Sequence, residues 1–240
     1  MVLLIMAGLS QGAFAHNYLP ASAGGGTTVI PDISVSRAAY RELSAPDQVD
    51  VYQFTAHKGE ELYIQMTVPL LDRLQDFAPV FVLTYMGEGQ PEFAGAEAER
   101  GIVIDPPHDV VDQLHPHTGG EKAEASMVAL QYDAQAPLAF NEPFTGTRYW
   151  IRQTLSVTAP ADGMYRIGVY SPDGSSGKYV LAPGKRESFG VVDLFTFAAV
   201  RITVRSFCEQ PIWPDVAVWS VLDVAIVAGI CLGVAALIIH

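Results

Sequence analysis

The chain has 240 residues, of which 50% are hydrophobic and only 17% charged, and its formal net charge is −12. An acidic chain without a concentrated Lys/Arg patch excludes a nucleic-acid partner, because phosphate binding draws on clustered basic side chains. So apolar a composition excludes wholesale disorder, and the two cysteines, Cys208 and Cys231, exclude a disulfide-rich scaffold.

In chain order, residues 1–15 read as a secretory signal. Val2-Leu3-Leu4-Ile5-Met6-Ala7 is the apolar core, and Ala13-Phe14-Ala15 has the small-x-small pattern of a cleavage site, although no Lys or Arg precedes it. Cleavage there leaves His16 as the first residue of the mature chain. Residues 16–26 form a flexible segment ending in Gly24-Gly25-Gly26. A β-rich body follows over residues 27–184. Leu62, Ile64, Met66 and Val68 alternate with Tyr63, Gln65 and Thr67, the period of a half-buried strand. Tyr149, Ile151, Leu155 and Val157 are predicted to share one face, with Trp150, Arg152, Thr154 and Ser156 opposite. Tyr165, Ile167 and Val169 repeat the pattern between the turn signals Asp162-Gly163 and Pro172-Asp173-Gly174. Further strands are predicted over 28–36, 49–55, 80–85, 101–104, 126–132 and 178–182. Between Ser36 and Gly184 no helical period is visible. About nine short strands without a helix predict a mainly β fold, an antiparallel β-sandwich.

The segment 87–124 stands apart in composition. Glu88, Glu92, Glu97, Glu99, Asp105, Asp109, Asp112, Glu121 and Glu124 face only Arg100 and Lys122, a net of −7. Connections this long are uncommon within a compact domain and are usually functional or disordered. Beyond the sandwich, residues 185–212 form a membrane-proximal segment. Its apolar run 189–207 is read as an interfacial helix whose Arg201 and Arg205 reach lipid headgroups, with a pair of strands as the alternative. Residues 213–240 are predicted to be a transmembrane helix. From Val216 to Ile239 only Ser220 and Asp223 are polar, Trp213 and Trp219 mark the leading edge, and about 20 such residues cross a bilayer core.

Asp50-Val51-Tyr52-Gln53-Phe54 with Lys58-Gly59-Glu60 resembles the opening of the bacterial pre-peptidase C-terminal domain. The resemblance extends to Ala159-Pro160-Ala161-Asp162-Gly163-Met164-Tyr165, Val169-Tyr170 and Gly177-Lys178-Tyr179-Val180-Leu181. It covers about Ile33 to Ala182 and implies a jelly-roll-like sandwich acting as a non-catalytic targeting or binding module of secreted proteins. This chain departs from that pattern in lacking an attached peptidase, in the long acidic insertion, and in the C-terminal apolar run.

Several constellations could carry chemistry. His108, Asp109, Asp112, His115 and His117, with His16 at the mature terminus, offer imidazole and carboxylate ligands for copper or zinc. The alternative is a solvated acidic loop, as the spacing matches no zinc signature. Asn141, Glu142, Asp162 and Asp173 lie in turns and offer oxygen ligands for calcium, although turn chemistry alone explains them. Trp150 and Tyr170 are candidates for stacking on a sugar, with Tyr52 and Tyr63 behind them; packing into the core is the alternative. In the C-terminal run, Ala225, Gly229 and Gly233 form a small-residue stripe suited to helix association, and Asp223 to a polar contact with a partner or headgroup. No Gly-x-Ser-x-Gly, His-Glu-x-x-His or phosphate-loop motif is present. The predicted function is a non-catalytic extracytoplasmic binding or accessory module, anchored to the membrane by one helix, with a protein, glycan or second copy as partner. The alternative is a copper- or zinc-binding protein using the His-containing insertion.

Overall fold

The computed structural model describes residues 17–22, 26–89, 91–93, 97–115, 127–131, 133, 138–188 and 191–213. Its strands form two packed sheets. The larger runs in the order β1 (Asn17–Tyr18), β3 (Arg37–Leu43), β13 (Gly177–Pro183), β5 (Glu61–Pro69), β11 (Thr147–Thr158) and β10 (Leu138–Glu142), with β7 (Glu97–Arg100) also paired to β11. The smaller runs β2 (Thr28–Val29), β4 (Val49–Ala56), β12 (Gly163–Tyr170), β6 (Val80–Tyr85), β9 (Met127–Gln131) and β8 (Ile102–Ile104). Two α-helices are described, α1 (His108–Leu114) and α2 (Val191–Phe207).

The core lies between the sheets, and the period-two pattern explains it. Leu62, Ile64, Met66 and Val68 of β5 point inward against Phe81 and Leu83 of β6 and Tyr165, Ile167 and Val169 of β12. Burying each such aliphatic side chain contributes about 1.5–3 kcal/mol relative to leaving it in water. The strand β7 continues through Gly101 into β8, so one extended segment leaves the larger sheet and joins the smaller. Gly101 makes that corner at φ 115°, where a Cβ would lie 3.0 Å from the carbonyl oxygen of Gln131.

Four expectations are corrected. The sheets are mixed, not purely antiparallel, because the two-residue strands β1 and β2 lie parallel to β3 and β4. The predicted strand 28–36 breaks after Val29. Pro31 has no amide proton, and the Asp32 carboxylate accepts bonds from the Ser34 amide (3.0 Å) and hydroxyl (2.7 Å), a turn that stops the ladder. The acidic segment contains α1, two turns too short for a legible period. Finally, β11 carries a bulge: Ile151 pairs with Thr67 and Gln153 with Met66, leaving Arg152 as the extra residue. The bulge shifts the phase of the strand. Leu155 and Val157 face the core as predicted, but Tyr149 faces outward and Trp150 packs against the core.

The predicted signal peptide, residues 1–15, and the predicted transmembrane run, residues 216–239, lie outside the described residues. Among the described residues no helix is long and apolar enough to cross a membrane.

Candidate functional site

Each sheet has an outer face covered by one helix, and the two helices lie on opposite sides of the sandwich. On the larger sheet, the C-terminal end of α2 and the residue after it seat Phe207 and Cys208 on the strands, and Val204 of the same turn region is buried. Cys208 packs with Ala38 of β3, Val180 of β13 and Tyr149 of β11, and Tyr40 and Phe140 flank the cluster. A chain of buried polar groups runs through this seat. The Glu142 carboxylate, 6% exposed, accepts the amides of Phe144 (2.8 Å) and Thr145 (2.6 Å) and the Thr145 hydroxyl. The Thr145 and Thr147 hydroxyls lie 2.6 Å apart, and Thr147 donates to the Tyr149 phenol oxygen at 2.9 Å. The Cys208 thiol donates to the same oxygen at 3.2 Å. Burial pushes the Cys208 thiol up to about 11 and raises the Tyr149 and Tyr40 phenols above their ordinary range.

Cations complete the latch at the helix C-terminus, where unpaired carbonyls and the helix dipole favour positive charge. Arg201 donates to the Phe144 carbonyl and Arg205 to that of Thr145 at 2.8 Å. Arg205 also donates twice to the Pro211 carbonyl, at 3.1 and 2.8 Å. Lys178 donates to the Phe207 carbonyl (2.9 Å) and pairs with Glu209 (2.8 Å), which also pairs with Arg73. The helix expected at this position is therefore present, but the expected lipid-facing role of Arg201 and Arg205 is corrected: both guanidinium groups engage backbone carbonyls of the β10–β11 turn.

On the smaller sheet, α1 covers Val80 and Val82 of β6, Ala129 of β9 and Tyr170 of β12 with Val110 and Leu114. Its approach is close, since a Cβ on Gly168 would lie 2.7 Å from the Leu114 side chain. Arg166 donates to the Leu114 carbonyl at 2.6 Å, and the His115 Nε2 lies 2.9 Å from the Thr84 hydroxyl. Burial, then the nearby Arg166 charge, holds His115 below the ordinary histidine range. Exposed carboxylates lie on and just before α1, at Asp105, Asp109 and Asp112, and Glu88 and Glu92 are exposed in the connection after β6.

The predicted site residues separate accordingly. His108, Asp109 and Asp112 are exposed on α1, whereas His115 turns inward to Thr84; His16 and His117 lie outside the described residues. Among the described residues no three metal-ligating side chains come together. The calcium candidates are scattered. Asn141 is exposed on β10, Glu142 closes its own turn, Asp162 accepts the Lys58 amide (3.0 Å) and lies 3.2 Å from the His57 ring, and Asp173 accepts the Ser175 amide (3.0 Å) and hydroxyl (2.6 Å). Asp162 and Asp173 lie beyond opposite ends of β12, about 25 Å apart at ~3.3 Å per residue. Neither stacking candidate forms a platform. Trp150 packs on the core beneath the Arg152 guanidinium (5.1 Å), and Tyr170 lies under α1. Tyr52 is buried, and Lys185 covers the Tyr63 ring at 4.5 Å. Asp223, Ala225, Gly229 and Gly233 lie outside the described residues. The latch residues Thr145, Thr147, Tyr149 and Cys208 were not foreseen; the turn sequence Glu142-Pro143-Phe144-Thr145-Gly146 marks a hairpin, but nothing local announces the helix that docks on it.

No family model and no curated protein matches the chain. Solved structures similar to it include PliG, a periplasmic inhibitor of g-type lysozyme from Salmonella Typhimurium, at 12% identity and TM-score 0.32, covering 67% of this chain and 98% of that one. The pre-peptidase C-terminal domain of a Bacillus anthracis collagenase matches at 13% identity and TM-score 0.31, covering 67% and 96%. CorA, a surface-associated copper-binding protein of Methylomicrobium album BG8, matches at 9% identity and TM-score 0.31, covering 67% and 100%. At this similarity they assign neither family nor partner to the chain.

Proposed function

We propose that the chain is a non-catalytic, extracytoplasmic binding module, held at a membrane by its C-terminal apolar run and presenting the acidic α1 face to a protein or glycan partner. The observation that carries this reading is the placement of the two helices on opposite outer faces. The α2 latch fixes the chain through Pro211 on the tether side, and Trp213, 78% exposed, stands three residues before the apolar run at Val216. The acidic residues around α1 then face away from the tether. A rigid sandwich carrying an exposed, charged connecting segment is the usual arrangement for recognition. The secretory pattern of residues 1–15 supplies the direction of export.

Partition tests the tether. The full-length chain is expected to resist alkaline carbonate extraction and to float with vesicles, and a variant lacking residues 216–239 is expected to be released. A full-length chain recovered in the aqueous supernatant overturns the reading.

A further inference from the structure

We propose that a cleft on the larger sheet, between Tyr63 and the segment that follows β13, binds one neutral pyranose ring of a glycan. The cleft is distinct from the α1 face, and it adds a second contact to the binding-module reading without depending on the membrane tether.

The backbone builds this cleft. Leu62 and Ile64 turn into the core, so Tyr63 between them stands on the outer side of β5. The Gly184 amide donates to the Tyr63 carbonyl and the Arg186 amide to that of Ser34, both at 2.9 Å, while the Arg186 carbonyl accepts the Ser36 amide at 2.8 Å. Position 184 requires glycine: its φ is 78°, and a Cβ there would lie 2.4 Å from the Val35 carbonyl oxygen. Lys185 and Arg186 are thereby held between two neighbouring segments. The space they enclose is about 200 Å³, lined by Ser34, Glu60, Glu61, Tyr63, Lys185 and Arg186. Walls pinned before binding lose little entropy when the site fills.

The lining selects the ligand. Two carboxylates, Glu60 and Glu61, share the cleft with two cations, Lys185 and Arg186, so a ligand of either charge meets its own sign there. A wholly apolar ligand would strip water from these groups and replace none of its hydrogen bonds. A sugar ring meets both demands. Each hydroxyl donates and accepts, and the Lys185 ammonium and Glu61 carboxylate, 2.8 Å apart, set a donor beside an acceptor. The apolar C–H face of the ring suits the Tyr63 ring. That ring is capped by the Lys185 ammonium at 4.5 Å. The Lys185 and Glu61 side chains are 51% and 62% exposed, and an ion pair so exposed holds the cap with little energy. A sugar hydroxyl then takes the place of the ring as the partner of Lys185. The volume limits the fit to a single ring, since drug-sized ligands occupy roughly 300–1,000 Å³.

Saturation-transfer difference NMR tests this on the full-length chain, in a detergent that contains no sugar, with the methyl pyranosides of glucose, galactose, mannose and N-acetylglucosamine. Transfer is expected to the ring C–H protons of at least one of them. Tyr63→Leu is expected to lower that transfer at least fivefold at an unchanged Tm. Should Tyr63→Leu lose the native Tm, Glu61→Gln, on an exposed side chain, carries the same expectation. Silence from all four pyranosides overturns the site, and so does transfer undiminished in the folded variant. Stronger transfer to glucuronate, glucosamine or zwitterionic alanine overturns the neutral ring. None of these failures touches the membrane tether, which carbonate extraction tests separately.

Discussion

Tyr170 carries its hydroxyl into the apolar layer beneath α1, where that oxygen has no hydrogen-bond partner among the described residues. Burial, then the neighbouring Asp109, pushes its phenol up to about 12. An orphaned buried hydroxyl costs about 1–3 kcal/mol, so Tyr170→Phe is expected to leave stability unchanged or raise it by about 1 kcal/mol. Urea denaturation checks this, and a loss above 1 kcal/mol would show that the hydroxyl has a partner. His115 gives a pH dependence. Its folded-state value is depressed, so the unfolded chain takes up a proton first, from about 6.5 downward. The stability it contributes is present above that value and lost as pH falls through the lower folded value. Asp32, Asp173 and Glu209, all held below their ordinary range by hydrogen bonds, lose their contribution only in more acid solution. Between pH 7.5 and 5.5 the wild-type Tm is therefore expected to fall more steeply than that of His115→Gln; parallel slopes would dismiss the histidine. The sequence marked His115 as a ligand because imidazole near carboxylates suits metals. What it could not show was Thr84 on another strand, which takes that nitrogen instead.

Alternation made the central strands readable. In β5 and β12 one face is wholly apolar, and both run without interruption. It failed where the period broke. At Arg152 the bulge exchanged the faces of Tyr149 and Trp150, and the cause lies elsewhere in the chain: the guanidinium donates to the Leu74 and Gln75 carbonyls at 3.0 and 2.6 Å. The short α1 failed for another reason, since Val110 and Leu114 are its only buried residues and no side chain caps its start. Contact with the smaller sheet stabilises it, and Gly168 sets that contact. Gly168→Ala is expected to cost about 1–3 kcal/mol through overpacking and to speed amide exchange over residues 108–115 more than elsewhere; uniform exchange would contradict the close approach. On the other face, Tyr149→Phe deprives the Thr147 hydroxyl and Cys208 thiol of their acceptor, at a cost of about 1–2 kcal/mol. Alkylation at Cys208, resolved by mass mapping, is then expected to quicken several-fold. An unchanged rate would mean that apolar contacts alone hold α2 down.

At the scale of the molecule, the helices give the sandwich two unlike sides: α2, latched by carbonyl-seeking cations, leads toward the apolar run, and α1 carries the acidic surface. The sequence announced both the charge segregation and the apolar ends, because each is a property of contiguous residues. The opposition of the two sides was not legible, since it depends on strands far apart in sequence lying together in one sheet. The proposed tether requires that the sandwich lie outside the cytoplasm. Labelling of the exposed lysines Lys58 and Lys185 in spheroplasts with a membrane-impermeant amine reagent measures that directly. Modification before lysis, on a chain that sediments with the membranes, is the expected result. Modification only after lysis would place the sandwich inside and contradict it.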